Sequence, residues 1–198
     1  MKPKKILFLI LAIICCIAAD CDKEPKEKPI YYLDQEIKDY TLFPVGSYWI
    51  YEDSLSNDID TVSIISQTIK IFAGGEEPFK YEYFKQNIVT SYYNDTLFGG
   101  GSAWLLESEG FCEYSETGWL RFISQKQVGY KFDELLYEIY YDSLFIINKW
   151  YKEVKVFTIL TQDSSSLERC YFKKNIGIIK KEKYDGKVWE LLNYYINN

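Results

Sequence analysis

Histidine is absent from all 198 residues. That gap removes the commonest general base, the Ser-His and Cys-His nucleophile pairs, and the commonest zinc and haem ligand. Basic residues are the minority charge, 23 against 29 Asp and Glu. Setting aside the first 20 residues, which hold three Lys and one Asp, leaves 20 basic against 28 acidic side chains, a formal charge of about −8. A surface of that sign repels phosphate backbones and argues against nucleic acid as a partner. Beyond Tyr31 there is no linker, no low-complexity run and no internal repeat of about 20 to 50 residues, which excludes a solenoid or propeller. The chain is long enough for one buried core rather than two.

What the sequence has in abundance is aromatic: 19 Tyr, 12 Phe and 5 Trp. Together with Ile and Val these residues suit a half-buried pleated surface. Short strand-like runs parted by turn residues recur along the body. "GSYWIYED" leads through "SLSND" to "IDTVSIIS", and "QTIKIF" and "FKYEYFKQ" flank "AGGEEP". "SAWLLES", "FCEYS" and "WLRFI" follow, and later "VKVFTILTQ", "ERCYFKK", "GIIKKEKY" and "VWELLNYYI". Asp185-Gly186 predicts a two-residue type I′ turn between the last two runs. The segment 133–151 reads either as a helix or as two strands around Asp142-Ser143, and its aromatics favour strands. A short helical turn is expected near Asp34 to Tyr40. Strands at such spacing without long helices indicate an antiparallel all-β meander, either a strongly curved sheet or partly open barrel, or alternatively a β-sandwich.

The amino terminus reads as an export signal over residues 1–20: a basic "MKPKK", an apolar run from Ile6 to Ala19, and a small-residue cleavage zone. At 14 residues the run makes roughly 21 Å of helix, short of the ~30 Å hydrocarbon thickness. "AADC", ending at Cys21, resembles the lipobox of bacterial lipoproteins, departing from it at Asp20. The resemblance implies that Cys21 begins the mature chain and carries acyl groups. Two or three fatty chains, at ~0.8 kcal/mol per buried CH₂, hold a protein on a membrane for practical purposes permanently. Residues 21–30, charged and punctuated by Pro25 and Pro29, then read as a tether, and residues 31–198 as one all-β domain. Asp22 to Glu24 resemble the surface-export signals of Bacteroidota lipoproteins, which leaves both faces of the bacterial outer membrane open.

"FPVGSYWIYED", Phe43 to Asp53, resembles an opening motif of exported Bacteroidota lipoproteins of unknown function, and "CYFKKNIGIIKKEKYDGKVWELLNYYI", Cys170 to Ile196, their closing hairpin. The resemblance implies framework: Gly46 for a sharp entry turn, Trp49 and Tyr51 on one packed face, Gly177 at a bend where the closing hairpin begins.

Candidate chemistry is sparse. Cys112 and Cys170 form an even pair that an oxidising envelope would allow to bridge, a gain of roughly 4 kcal/mol in the chain-entropy model; the alternative is two buried thiols. Glu107, Glu109 and Glu113, and Glu76-Glu77, raise a glycosidase-like carboxylate pair but sit in turn-like, wet surroundings. Asn57, Asp58 and Asp60 match no EF-hand spacing. "FGGGS", Phe98 to Ser102, has neither the helix nor the Lys of a phosphate cradle and reads as a loop. No catalytic residue, metal or cofactor is assigned. Tyr92-Tyr93, Trp104, Trp119, Trp150 and Tyr151 are the recognition candidates, since aromatics bring large rigid area at small entropy cost. The expected function is a lipid-anchored, non-catalytic envelope module binding a protein or a glycan. The alternatives are a carrier of apolar ligand in a half-open barrel and a carboxylate-based hydrolase.

Overall fold

A computed structural model describes residues 27–73, 79–91, 94–101, 110–114, 121–123, 128–129, 131–132, 135–160, 167–183 and 185–197. The all-β expectation holds: one mixed sheet curls into a half-barrel, with one short helix. Its strands are β1 (Ile30–Tyr31), β2 (Tyr48–Asp53), β3 (Ile59–Ala73), β4 (Lys80–Val89), β5 (Asn94–Gly101), β6 (Gly110–Tyr114) and β7 (Arg121–Ile123). The second half supplies β8 (Lys131–Phe132), β9 (Leu135–Ile146), β10 (Lys149–Leu160), β11 (Leu167–Lys173), β12 (Gly177–Glu182) and β13 (Val188–Tyr195).

The order across the sheet is β7-β6-β5-β4-β3-β2-β13-β12-β11-β10-β9-β8, with β1 added parallel to the end of β4. The chain thus starts in the middle, steps outward to β7, restarts at the far edge with β8, and steps back until β13 lies antiparallel to β2. Covalent reach demands curvature. Ile123 and Lys131 are eight peptide steps apart, at most about 29 Å. Twelve strands laid flat at about 4.8 Å spacing would put those edges roughly 53 Å apart. The sheet instead curls until β10 approaches β7.

The helix α1 (Gln35–Thr41) fills the concave side, touching β12, β6 and β7. Asp34 caps it by accepting from the Glu36 N–H at 2.8 Å, satisfying one of the donors a helix start leaves orphaned. Its inward residues Ile37, Tyr40 and Thr41 are buried. They join Trp49, Tyr51, Val62, Ile64, Phe84, Ile88, Phe157, Phe172, Ile178, Trp189 and Leu191 in one core. Trp49 donates its indole N–H to the Ile176 carbonyl at 2.5 Å, and the Tyr51 hydroxyl donates to the Ile178 carbonyl at 2.9 Å. Both therefore lie on one packed face, as the opening motif implies.

Some local expectations are corrected. β3 is one strand of 15 residues where two were expected. The glycines of "FGGGS" up to Gly101 lie in β5 rather than in a loop, because β4 and β6 pair on its two sides. Between β12 and β13 the Lys183 N–H donates to the Lys187 carbonyl and the Gly186 N–H to the Lys183 carbonyl, with Gly186 at φ +84. That loop is five residues long, a turn closed by a glycine bulge rather than a two-residue turn. The two-residue turn belongs to β9 and β10, which are strands as the aromatics suggested, and it falls at Ile147 (φ 36) and Asn148 (φ 61), not at Asp142-Ser143. Along β13 a register shift between Leu191 and Asn193 leaves Leu192 outside and turns Tyr194 inward. Among the described residues no helix is long and apolar enough to cross a membrane.

Candidate functional site

Strand directions sort the turns of the half-barrel between its two ends. β2 begins where β13 ends, with Tyr48 beside Tyr195. The β9–β10 turn, the β11–β12 turn and the far end of β3 all lie toward that end. The β2–β3 and β12–β13 turns lie at the other.

The β9–β10 hairpin reaches past its neighbour there: Val154 is the last β10 residue paired with β11, leaving Lys149 to Glu153 beyond it. Glu153 sits at φ 56 and interrupts the ladder between Lys152↔Ser143 and Val154↔Tyr141. Strand alternation then splits the tip into two faces. Ile146 and Tyr151 point inward and are 3% and 4% exposed. Phe145 and Trp150, paired across the ladder, point outward and are 52% and 66% exposed. Their rings lie 5.2 Å apart at 54°. The Lys149 ammonium sits 5.0 Å from the Tyr194 ring and 5.3 Å from that of Tyr151, closing the inward side. Phe145 and Trp150 are thus an exposed aromatic pair whose inner neighbours, Ile146 and Tyr151, are packed into the core.

Of the expected recognition residues, Trp150 is presented as a binding role requires. Tyr151 is not: alternation beside the exposed Trp150 sends it into the core, and burial, with Tyr194 nearby, raises its pKa. Trp104, Trp119 and Tyr92-Tyr93 lie outside the described residues. Phe145, not singled out by the residue pattern, lies exposed beside Trp150 because the turn falls at Ile147-Asn148 and makes the two cross-strand partners.

For the Cys112 and Cys170 pair, described only at Cys170, the geometry matches the second reading, a buried thiol. Cys170 is a free, buried thiol on β11 between Phe157 and Lys181. Burial pushes its pKa up to about 12, the state of an inert structural cysteine. Cys112 lies on β6, and its side chain is outside the described residues, as are the side chains of Glu76, Glu77, Glu107, Glu109 and Glu113. Cys21 also lies outside them.

Several charged groups of the half-barrel are held by described partners. Lys155, 8% exposed, pairs with the Glu36 carboxylate and lies over the Tyr40 and Tyr137 rings at 5.4 and 5.5 Å. Burial pushes the Tyr137 hydroxyl up to about 12, with Glu36 adding to it. Asp53, fully buried, accepts from the Ser56 hydroxyl at 2.7 Å and the Val188 N–H at 3.1 Å. The Ser56 hydrogen bond outweighs burial and, helped by backbone N–H donors, lowers the Asp53 pKa. Asp60 accepts from the Ser91 N–H at 3.0 Å, and Asp58 from the Ser56 hydroxyl at 2.8 Å. These loop carboxylates hold turns, and among the described residues no cluster of three ligating side chains could hold a metal.

Between α1 and the concave face lies a cavity of about 40 Å³ lined by Tyr40, Phe43, Trp49, Gln86, Phe172 and neighbouring aliphatics. Gln86 is fully buried; its amide donates to the Phe43 carbonyl, while its Oε1 has no partner. A space of that size suits one or two waters. It is far below the ~300 Å³ at which drug-sized ligands begin to fit. Comparison with protein-family models, curated proteins and solved structures finds no match.

Proposed function

We propose that this chain is a lipid-anchored bacterial envelope protein, acylated at Cys21 and held at the outer membrane, whose half-barrel is a non-catalytic binding module. Its ligand, another envelope protein or a glycan, would be engaged through Trp150 and Phe145. The observation that carries this reading is the solvent-facing pair of large rings at the end of a hairpin whose opposite face buries Ile146 and Tyr151. Large exposed aromatics on a rigid support are what interfaces and sugar-stacking sites use. Among the described residues the carboxylates with displaced pKa, Asp39, Asp53 and Glu138, are all lowered, whereas a general acid needs one that is raised, which favours a non-catalytic reading. Among the described residues the cavity beneath α1, about 40 Å³, is far smaller than a fatty chain needs, which favours the binding module over the carrier alternative.

Two measurements test the reading. Intact mass of the membrane-extracted protein should show loss of residues 1–20 and added acyl mass on Cys21; a chain retaining Met1 would sink the anchor. A photo-reactive phenylalanine analogue at position 150 should give envelope adducts in cells that the same analogue at Leu55, 72% exposed at the opposite end, does not. Identical adducts from both positions would reject the binding role.

A further inference from the structure

The second projection from this end of the half-barrel is the β3–β4 ribbon. β2 pairs with β3 only as far as Ser63, so the ten residues from there to Ala73 extend about 33 Å past it at strand rise. Along Ile65 to Ala73 no strand pairs with the β2 side of β3 among the described residues. Every β3 residue from Thr68 to Ala73 is exposed, although β4 beside it is packed on one face, where Phe84, the partner of Ile69, is fully buried. A pleated strand normally hides one face. Here Ile69 and Ile71 are 48% and 43% exposed on one side and Phe72 47% on the other. The Phe72 ring packs 5.3 Å from that of Tyr81, its partner across the ladder. Tyr31 pairs with Tyr81 from β1 and meets the Phe79 ring at 5.8 Å, and exposed Tyr32 follows at 66%.

This aromatic end is also where the amino-terminal segment joins the body. The Lys80 N–H donates to the Pro29 carbonyl at 2.8 Å, and Ile30 is the first strand residue. Nine peptide steps separate Ile30 from Cys21, a span of at most about 32 Å. We infer that the β3–β4 ribbon, with β1, rests in the headgroup–acyl boundary of the bilayer, so that the lipid anchor and a protein wedge together set the orientation of the half-barrel. The inference rests on the acylated Cys21 proposed above. Tyr and Phe rings are the side chains that favour that boundary. Lys28, Lys70 and Lys80 are balanced by Glu27, Glu76 and Glu77 in the sequence, so the contact is apolar in origin and insensitive to salt, unlike a polybasic patch. The exposed edge of β3 also offers a second copy of the chain a place to pair; that occupant is an outcome of the test.

The test uses the full acylated protein reconstituted into zwitterionic phosphatidylcholine vesicles whose acyl chains are brominated near the headgroup. Phe72→Trp adds a reporter at the ribbon, and Leu55→Trp adds one at the opposite end, where Leu55 is 72% exposed. The emission added at position 72 should fall at least about twofold against unbrominated vesicles, equally at low and high salt, while that added at position 55 is unchanged. Equal quenching at both positions, or none at position 72, overturns the placement. Loss of the quenching in high salt overturns its apolar origin. Co-capture of two differently tagged copies with position 72 unquenched assigns the edge to a second copy instead. Intact mass of the same sample separates the two readings. An unmodified Cys21 removes the anchor and this placement with it, whereas an acylated Cys21 with position 72 unquenched removes the placement alone.

Discussion

Gly177 shows how one residue ties the first and last thirds of the chain together. It sits at φ +89 at the start of β12, and a Cβ there would lie 3.0 Å from the Phe43 ring. Gly177→Ala therefore combines a left-handed conformation that L side chains resist with a clash against a core ring, and should cost about 3 kcal/mol in urea unfolding. Asp53 bears on pH. Its ordinary value is 3.8, and the Ser56 hydroxyl, with backbone donors, lowers it in the fold. The unfolded chain consequently binds the proton more readily. The stability Asp53 contributes is whole above pH 4 or so and is lost as pH falls through the lower folded value. Asp39 and Glu138 act in the same direction: for Asp39 Lys174 and Gln35 outweigh an opposing burial, and for Glu138 the Arg169 hydrogen bond leads. Asp53→Asn should lower the urea midpoint at pH 7 and decline less steeply than the wild type between about pH 5 and pH 2; parallel curves would reject the assignment.

At the scale of elements, β10 carries the longest unbroken run of buried residues among those described, Val154 to Thr158, on both faces. Phe157 stacks on Tyr137 at 4.9 Å on the neighbouring strand and meets Phe172 edge-on at 5.8 Å. Phe157→Ala should destabilise by about 4 kcal/mol, the sum of lost transfer energy and an unfilled cavity. Truncating Trp150 or Phe145, which face water, should change stability by no more than about 0.5 kcal/mol. That contrast within one pair of adjacent strands separates framework from surface, and denaturant titration of the three variants reads it directly.

For the whole molecule the decisive contact is β13 against β2, which joins the outward and the returning meander. Removing residues 188–198 would leave β2 and β12 as facing unpaired edges and strip Trp189 and Leu191 from the core. The shortened chain should lose its cooperative unfolding transition and aggregate, seen as a sloping circular dichroism melt. A sharp transition at the wild-type midpoint would show that the two halves fold without this strand.

Strand content and the short helix near Asp34 were legible from residue order, because each depends on side chains within a few positions of one another. Alternation even placed Trp49 and Tyr51 on a common face. What residue order left open were questions about faces and neighbours: that Tyr151 is buried while Trp150 is not, that Cys170 stays a thiol, and that β3 from Thr68 to Ala73 is exposed on both its faces. Those outcomes turn on where a hairpin reverses and on which distant strand arrives alongside, as when Trp49 finds the carbonyl of Ile176. Pleat and turn preference act over a handful of bonds, whereas packing compares surfaces brought together from opposite ends of the chain, and only the folded sheet performs that comparison.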